Sequence, residues 1–117
     1  FCYSAQCYRT AAAIAQSLQI TNNKYDVTFQ SRLGRDPWLQ PYTDQTLTEL
    51  LARGKKKILV FSPAFVADCL ETTIEIGFEY KEQFLHAGGE KLDLVESLND
   101  DEDWVSAIAE MVKKRRI

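Results

Sequence analysis

Carboxylates recur along one short stretch of this chain. Asp68, Glu71, Glu75, Glu79 and Glu82 stand three or four residues apart. On a helix turning about 100° per residue they share one arc, all within about 80° of one another. Oxygen ligands gathered in this way suit a divalent metal. Like charges held close also raise one another's pKa, which would make proton acceptors of some of them. The plainer reading is an acidic helix face turned to solvent. Cys69 lies within the stripe, and Trp38 sits in a loop between Pro37 and Pro41. A tryptophan braced in that way either plugs the core or forms a binding surface.

The elements around the acids give them a place. The apolar run Ile58-Leu59-Val60-Phe61 reads as a buried parallel strand, and Pro63 ends it. A helix is expected from about Phe65 to about His86, with Val66, Leu70, Ile74, Phe78 and Leu85 on its apolar arc. The carboxyl end of a strand therefore runs into an acidic helix, which is where open α/β sheets bind ligands.

Upstream, Ser4 to Leu18 reads as an amphipathic helix and Tyr25 to Ser31 as a strand, with Tyr25, Val27 and Phe29 alternating. Thr43 is the expected N-cap of a helix that buries Thr46, Leu47, Leu50 and Leu51 and stops at Gly54. Downstream, Gly88-Gly89 end the acidic helix, and Leu92 to Leu98 offers a third strand. A last helix from Trp104 to about Lys114 is expected to bury Trp104, Val105, Ile108, Met111 and Val112. The order α-β-α-β-α-β-α predicts an α/β fold, a three-layer α/β/α arrangement with a parallel sheet and right-handed crossovers.

With 117 residues and a net charge of −3, the chain is expected to form one domain over residues 1–117 with no general attraction for nucleic acid. Lys55-Lys56-Lys57 and Lys113 to Arg116 read as solvated clusters, the second suiting a helix C-terminus. Cys2, Cys7 and Cys69 lack zinc-ligand spacing, and an odd count argues against a disulfide framework, so a reducing, cytoplasmic setting is expected. No glycine-rich phosphate loop occurs, and the lone His86 reads as a solvated residue at a helix end. The chain opens on Phe1 already within a helical pattern, which suggests a piece of a longer protein.

Gln30 to Asp44, followed by Lys57 to Val60, Ser62 to Thr72, Ile76 to Tyr80 and Glu96 to Asn99, resembles the C-terminal half of ferrochelatases of bacterial type. The likeness runs from about Tyr25 to Met111. It implies a chelatase-like, Rossmann-like half whose N-terminal partner domain completes a porphyrin cleft. It also implies insertion of ferrous iron into protoporphyrin IX or a coproporphyrin. By that resemblance Glu71 and Glu75 are the catalytic acids, and Asp68, Glu71 and Glu75 handle the metal. Trp38, Ser31 and Gln30 contact the porphyrin. Fe²⁺ is then substrate, with no tightly bound cofactor, and the helix after Pro63 is partly widened to a π-type turn. Cys69 stands where many relatives have His. The family's catalytic His lies upstream of this chain, so the isolated piece is expected to be inactive, and peripheral membrane contact is left open. Two alternatives remain: a related cobalt chelatase, which one His fits poorly, and a non-catalytic flavodoxin-like binding module.

Overall fold

The structure, a computed structural model, describes residues 2–30 and 36–115. Helix α1 (Tyr3–Ser17) is built from alanines and other good helix formers. It buries only Ala15 and is fastened by the Tyr8 ring, which meets Phe29 edge-on at 6.1 Å and 70°. A 3₁₀ turn (Asn22–Lys24) follows. Of the strand expected over Tyr25 to Ser31, the described residues up to Gln30 hold a single parallel bridge, between Phe29 and Tyr42. The Phe29 N–H donates to the Pro41 carbonyl at 2.9 Å, and the Thr43 N–H donates to the Phe29 carbonyl at 3.2 Å. Alternating side chains alone do not make a strand; a hydrogen-bonded neighbour is also needed, and among the described residues only this bridge supplies one.

Helix α2 (Thr43–Ala52) has Tyr42, not Thr43, at its N-cap. Thr43 is buried as the first helical residue, and its hydroxyl pairs with that of Thr28 at 2.9 Å instead of capping. The helix ends as expected. Gly54 takes φ +79°, the Lys55 N–H reaches the Leu50 carbonyl and the Gly54 N–H the Leu51 carbonyl, each at 2.9 Å.

Strands β1 (Lys57–Val60) and β2 (Lys91–Leu94) pair in parallel, Lys57 opposite Lys91 through Val60 opposite Leu94. Between them the chain crosses over through a π-helix (Glu71–Tyr80) that continues directly into α3 (Lys81–His86). The expected helix start at Phe65 is displaced to this point. Residues 61–69 form turns and bends instead, because their backbone groups are engaged by the loop after β2: the Asn99 N–H donates to the Val66 carbonyl, and Asn99 Oδ1 accepts from the Asp68 N–H.

The core lies where these pieces meet. Leu47 of α2, Ile76 of the π-helix, Phe84 of α3 and Leu92 of β2 are buried, with Leu51, Ile58, Val60, Tyr80 and Leu94 packed against them. Helix α4 (Glu102–Lys114) starts at Asp101, whose carboxylate accepts from the N–H groups of Asp103 and Trp104 at 3.0 and 3.2 Å. Its expected buried stripe is not buried. Val105, Ile108, Met111 and Val112 are 40–67% exposed, and Trp104 is half-buried.

The α/β class and the parallel pairing are therefore as expected, on a sheet that among the described residues has two strands. The radius of gyration is 16.0 Å, where a compact chain of about 100 residues has about 13 Å. With α1 and α4 contributing almost nothing to the core, the molecule is drawn out to 53 × 36 × 25 Å.

Candidate functional site

The ten residues Glu71–Tyr80 are wound throughout as a π-helix. Thr72, Thr73, Ile74 and Ile76 are β-branched and crowd the tighter α-turn. Gly77 stands where an added Cβ would lie 3.3 Å from the Thr72 carbonyl oxygen and 3.6 Å from Leu94 Cδ2, so the wide turn is pressed closely onto β2. At the N-terminal end Thr72, 1% exposed, accepts from the Cys69 N–H at 3.0 Å and places its hydroxyl 3.0 Å from the Cys69 carbonyl. Windings of this kind are rare and frequently mark functional sites.

Glu71 and Glu75, both half-buried, lie four residues apart on this helix, and Gln30 touches both. The Gln30 side-chain amide donates to the Glu71 carbonyl at 2.8 Å and reaches Glu75 Oε2 at 3.4 Å. The other Glu75 oxygen, Oε1, accepts from the Tyr80 hydroxyl at 2.7 Å. Burial first, and then the Glu75 carboxylate, push the Tyr80 phenol well above its ordinary range, so it remains a donor at any physiological pH.

Glu71 does not behave as close like charges would dictate. Its own backbone N–H, and after it the Cys69 side chain, hold its carboxyl below the usual value against a small opposing effect of desolvation. Asp68 is lowered as well, by hydrogen bonds from Asn99 first and Ser97 next. The expected rise in pKa from crowding is therefore corrected for these two acids: local donors outweigh repulsion across a solvated face.

The three acids expected to share a metal are not brought together either. Among the described residues no three His, Cys, Asp or Glu side chains are gathered closely enough to hold an ion. The physical reason is the orientation of Asp68. Its carboxylate turns to the loop after β2, with Asn99 Nδ2 at 2.9 Å and the Ser97 N–H at 3.4 Å. Trp38 is 41% exposed in the loop before α2. Ser31 lies outside the described residues. Gln30, expected to face a substrate, directs its amide nitrogen to the π-helix. His86 is exposed at the last position of α3.

Tyr80 is the residue that the sequence left unnoticed. It stands five positions after Glu75, and on an α-helical wheel such positions fall about 140° apart. Only the wider winding makes them neighbours, and the run of β-branched residues ahead of Gly77 is the signal that could have shown it.

A family model described as ferrochelatase matches residues 1–116. Proteins named ferrochelatase from Pseudomonas putida strain KT2440 and Pseudomonas fluorescens strain Pf0-1 are each 55% identical over 113 residues, 97% of this chain and 33% of theirs. The Pseudomonas aeruginosa protein of the same name, strain PAO1, is 54% identical over 110 residues, 94% of this chain and 32% of its own. The chain thus spans about a third of the length of these curated relatives.

Proposed function

The chain belongs to the ferrochelatase family, and from that premise we propose that it is part of an enzyme inserting ferrous iron into a porphyrin, protoporphyrin IX or a coproporphyrin. The observation that carries this reading is the acid-bearing π-helix with Glu71 and Glu75 linked through Gln30. The remaining two thirds of the full-length protein would complete the cleft and supply the histidine base that this segment lacks.

Insertion makes two demands that the residues here suit. The planar macrocycle must bend so that its nitrogen lone pairs face the metal, and two N–H protons must depart as Fe²⁺ arrives. Trp38, exposed in its proline-flanked loop, offers a flat apolar wall against which binding energy can strain the ring. Glu71, kept ionised by its local donors, attracts the cation; the same lowered pKa makes it a weak base, so a pyrrole proton that it takes is passed on, not held. Glu75, four residues along the same helix, is the carboxylate we assign to receive it next. Carboxylate oxygens hold Fe²⁺ loosely enough to release it to the ring. Asp68 serves this reading better as a strut than as a metal ligand.

Iron is substrate in this scheme. The three free cysteines Cys2, Cys7 and Cys69 support a reducing, cytoplasmic setting. Among the described residues no helix is long and apolar enough to cross a membrane. The test uses the full-length protein with free-base porphyrin and Fe²⁺ under anaerobic conditions. A Soret shift to that of the metalloporphyrin is the expected result. Porphyrin binding without insertion would return the chain to the reading of a non-catalytic module.

A further inference from the structure

Taking Glu75 as the second acid of the proposed relay, we infer that Tyr80 is a positioning residue for the Glu75 carboxylate, a part open to it only because this segment is wound as a π-helix. In an α-helix a phenol and a carboxylate five positions apart project from different faces, separated by about 140° around the axis. The i→i+5 winding stacks them one turn apart, and the hydroxyl reaches Oε1 at 2.7 Å.

The tyrosine is itself held. Its ring packs on the core formed by Leu47, Ile76, Phe84 and Leu92, and it lines a small cavity between α2 and α3 with Asp44, Leu51 and Gln83. The ring is therefore held by packing against the core while its hydroxyl reaches Glu75. Gln30 meets the second carboxylate oxygen at 3.4 Å, while the same nitrogen is anchored at 2.8 Å on the Glu71 carbonyl. Glu75 is thus gripped at both oxygens, by a residue of its own helix and by one from the segment that leads into the Trp38 loop.

A proton carrier works through geometry. A glutamate side chain left to rotate spends little time within reach of its neighbour, and a misplacement on the ångström scale is enough to slow transfer. Winding, phenol and carboxylate form one device: a return to α-helical register would separate the pair and remove the hydrogen bond that Tyr80 gives to Glu75 Oε1.

The experiment is a double-mutant cycle in the full-length enzyme, with Tyr80→Phe, Glu75→Ala and the two combined, measured by single-turnover insertion of Fe²⁺. Phenylalanine keeps the ring in the core, and thermal unfolding checks that each variant is folded. The expected result is an insertion rate about tenfold lower for Tyr80→Phe with the KM for porphyrin unchanged, and no additional loss when the change is made in the Glu75→Ala background. A Tyr80→Phe rate equal to wild type overturns the inference, as does a loss that persists in full without Glu75. Both results leave the iron-insertion reading standing. A wild-type protein that binds porphyrin but inserts no iron overturns that reading and, with it, the role given to Tyr80.

Discussion

Asp68 and Asn99 hold each other by two hydrogen bonds: the Asp68 N–H donates to Asn99 Oδ1 at 2.9 Å, and Asn99 Nδ2 donates to Asp68 Oδ2 at 2.9 Å. Asn99 sits at φ +49°, a left-handed conformation that asparagine tolerates better than most residues. Its backbone N–H is used too, on the Val66 carbonyl at 2.9 Å. The clamp joins the connector after β1 to the loop after β2, so the carboxyl ends of the two strands are fixed relative to each other just ahead of the π-helix.

Because Asn99, followed by Ser97, favours the charged form, the Asp68 carboxyl ionises below its ordinary value. A depressed carboxyl stabilises the fold fully above the unfolded-chain pKa of about 3.9 and loses that contribution as pH falls through the lower folded value. Asp68→Asn should accordingly melt below wild type at pH 7, with the gap narrowing below about pH 4. Thermal unfolding of the full-length protein across pH 2.5 to 7 checks this. A gap that stays constant with pH would remove the carboxylate's charge from the account.

How much of this was legible beforehand depends on which interactions are local. The two glycine-terminated helices and the acidic start of α4 follow from short-range rules and are found where the pattern puts them, whereas β2 covers Lys91–Leu94 and stops short of the strand expected over Leu92 to Leu98. Tyr25 to Gln30 failed as a strand because pairing is non-local: alternation at Val27 and Phe29 cannot supply a neighbour. Thr43 failed as a cap because Thr28, distant in sequence, claims its hydroxyl. Within the candidate site, that Glu71 and Glu75 share one helix was legible. The turning of Asp68 towards Asn99 was not, since a wheel drawn at 100° per residue knows nothing of a loop beyond β2. The apolar stripe of α4 failed as a buried face, because an apolar stripe does not create a partner to cover it.

Ile76 is fully buried at the centre of the π-helix, within the cluster formed with Leu47, Phe84 and Leu92. Ile76→Ala should destabilise the full-length protein by about 2–5 kcal/mol, the range for losing a buried aliphatic side chain and leaving a cavity. Urea unfolding reads the change as a lower midpoint at unchanged slope. A loss below about 0.5 kcal/mol, the ordinary range for surface sites, would mean that this core is rebuilt when the rest of the protein is present.

Glu71 and its isostere glutamine differ by charge far more than by shape. Glu71→Gln keeps the side chain's length and an acceptor oxygen while removing the proton acceptor and the attraction for Fe²⁺. Insertion should slow by about 10²-fold or more with porphyrin affinity nearly unchanged, as for loss of a positioned acid–base group. Stopped-flow insertion paired with porphyrin fluorescence titration separates the two quantities. Equal loss of both would assign Glu71 a structural part.

Trp38 allows its two readings to be set against each other by size. If it plugged the core, Trp38→Ala would cost about 3–5 kcal/mol of stability, as other buried aromatics do. It is 41% exposed, however, and is not among the residues packed on the buried cluster. A binding wall predicts the reverse distribution. Stability should change by less than about 1 kcal/mol, while porphyrin binding weakens by about 10–100-fold through the lost aromatic contact. The visible spectrum of the bound macrocycle should also move towards that of the relaxed, planar ring, since the surface that bends it is gone. Thermal melts and porphyrin titrations on the same full-length variant decide the matter. A large drop in melting temperature with unaltered porphyrin affinity and spectrum would make Trp38 a plug.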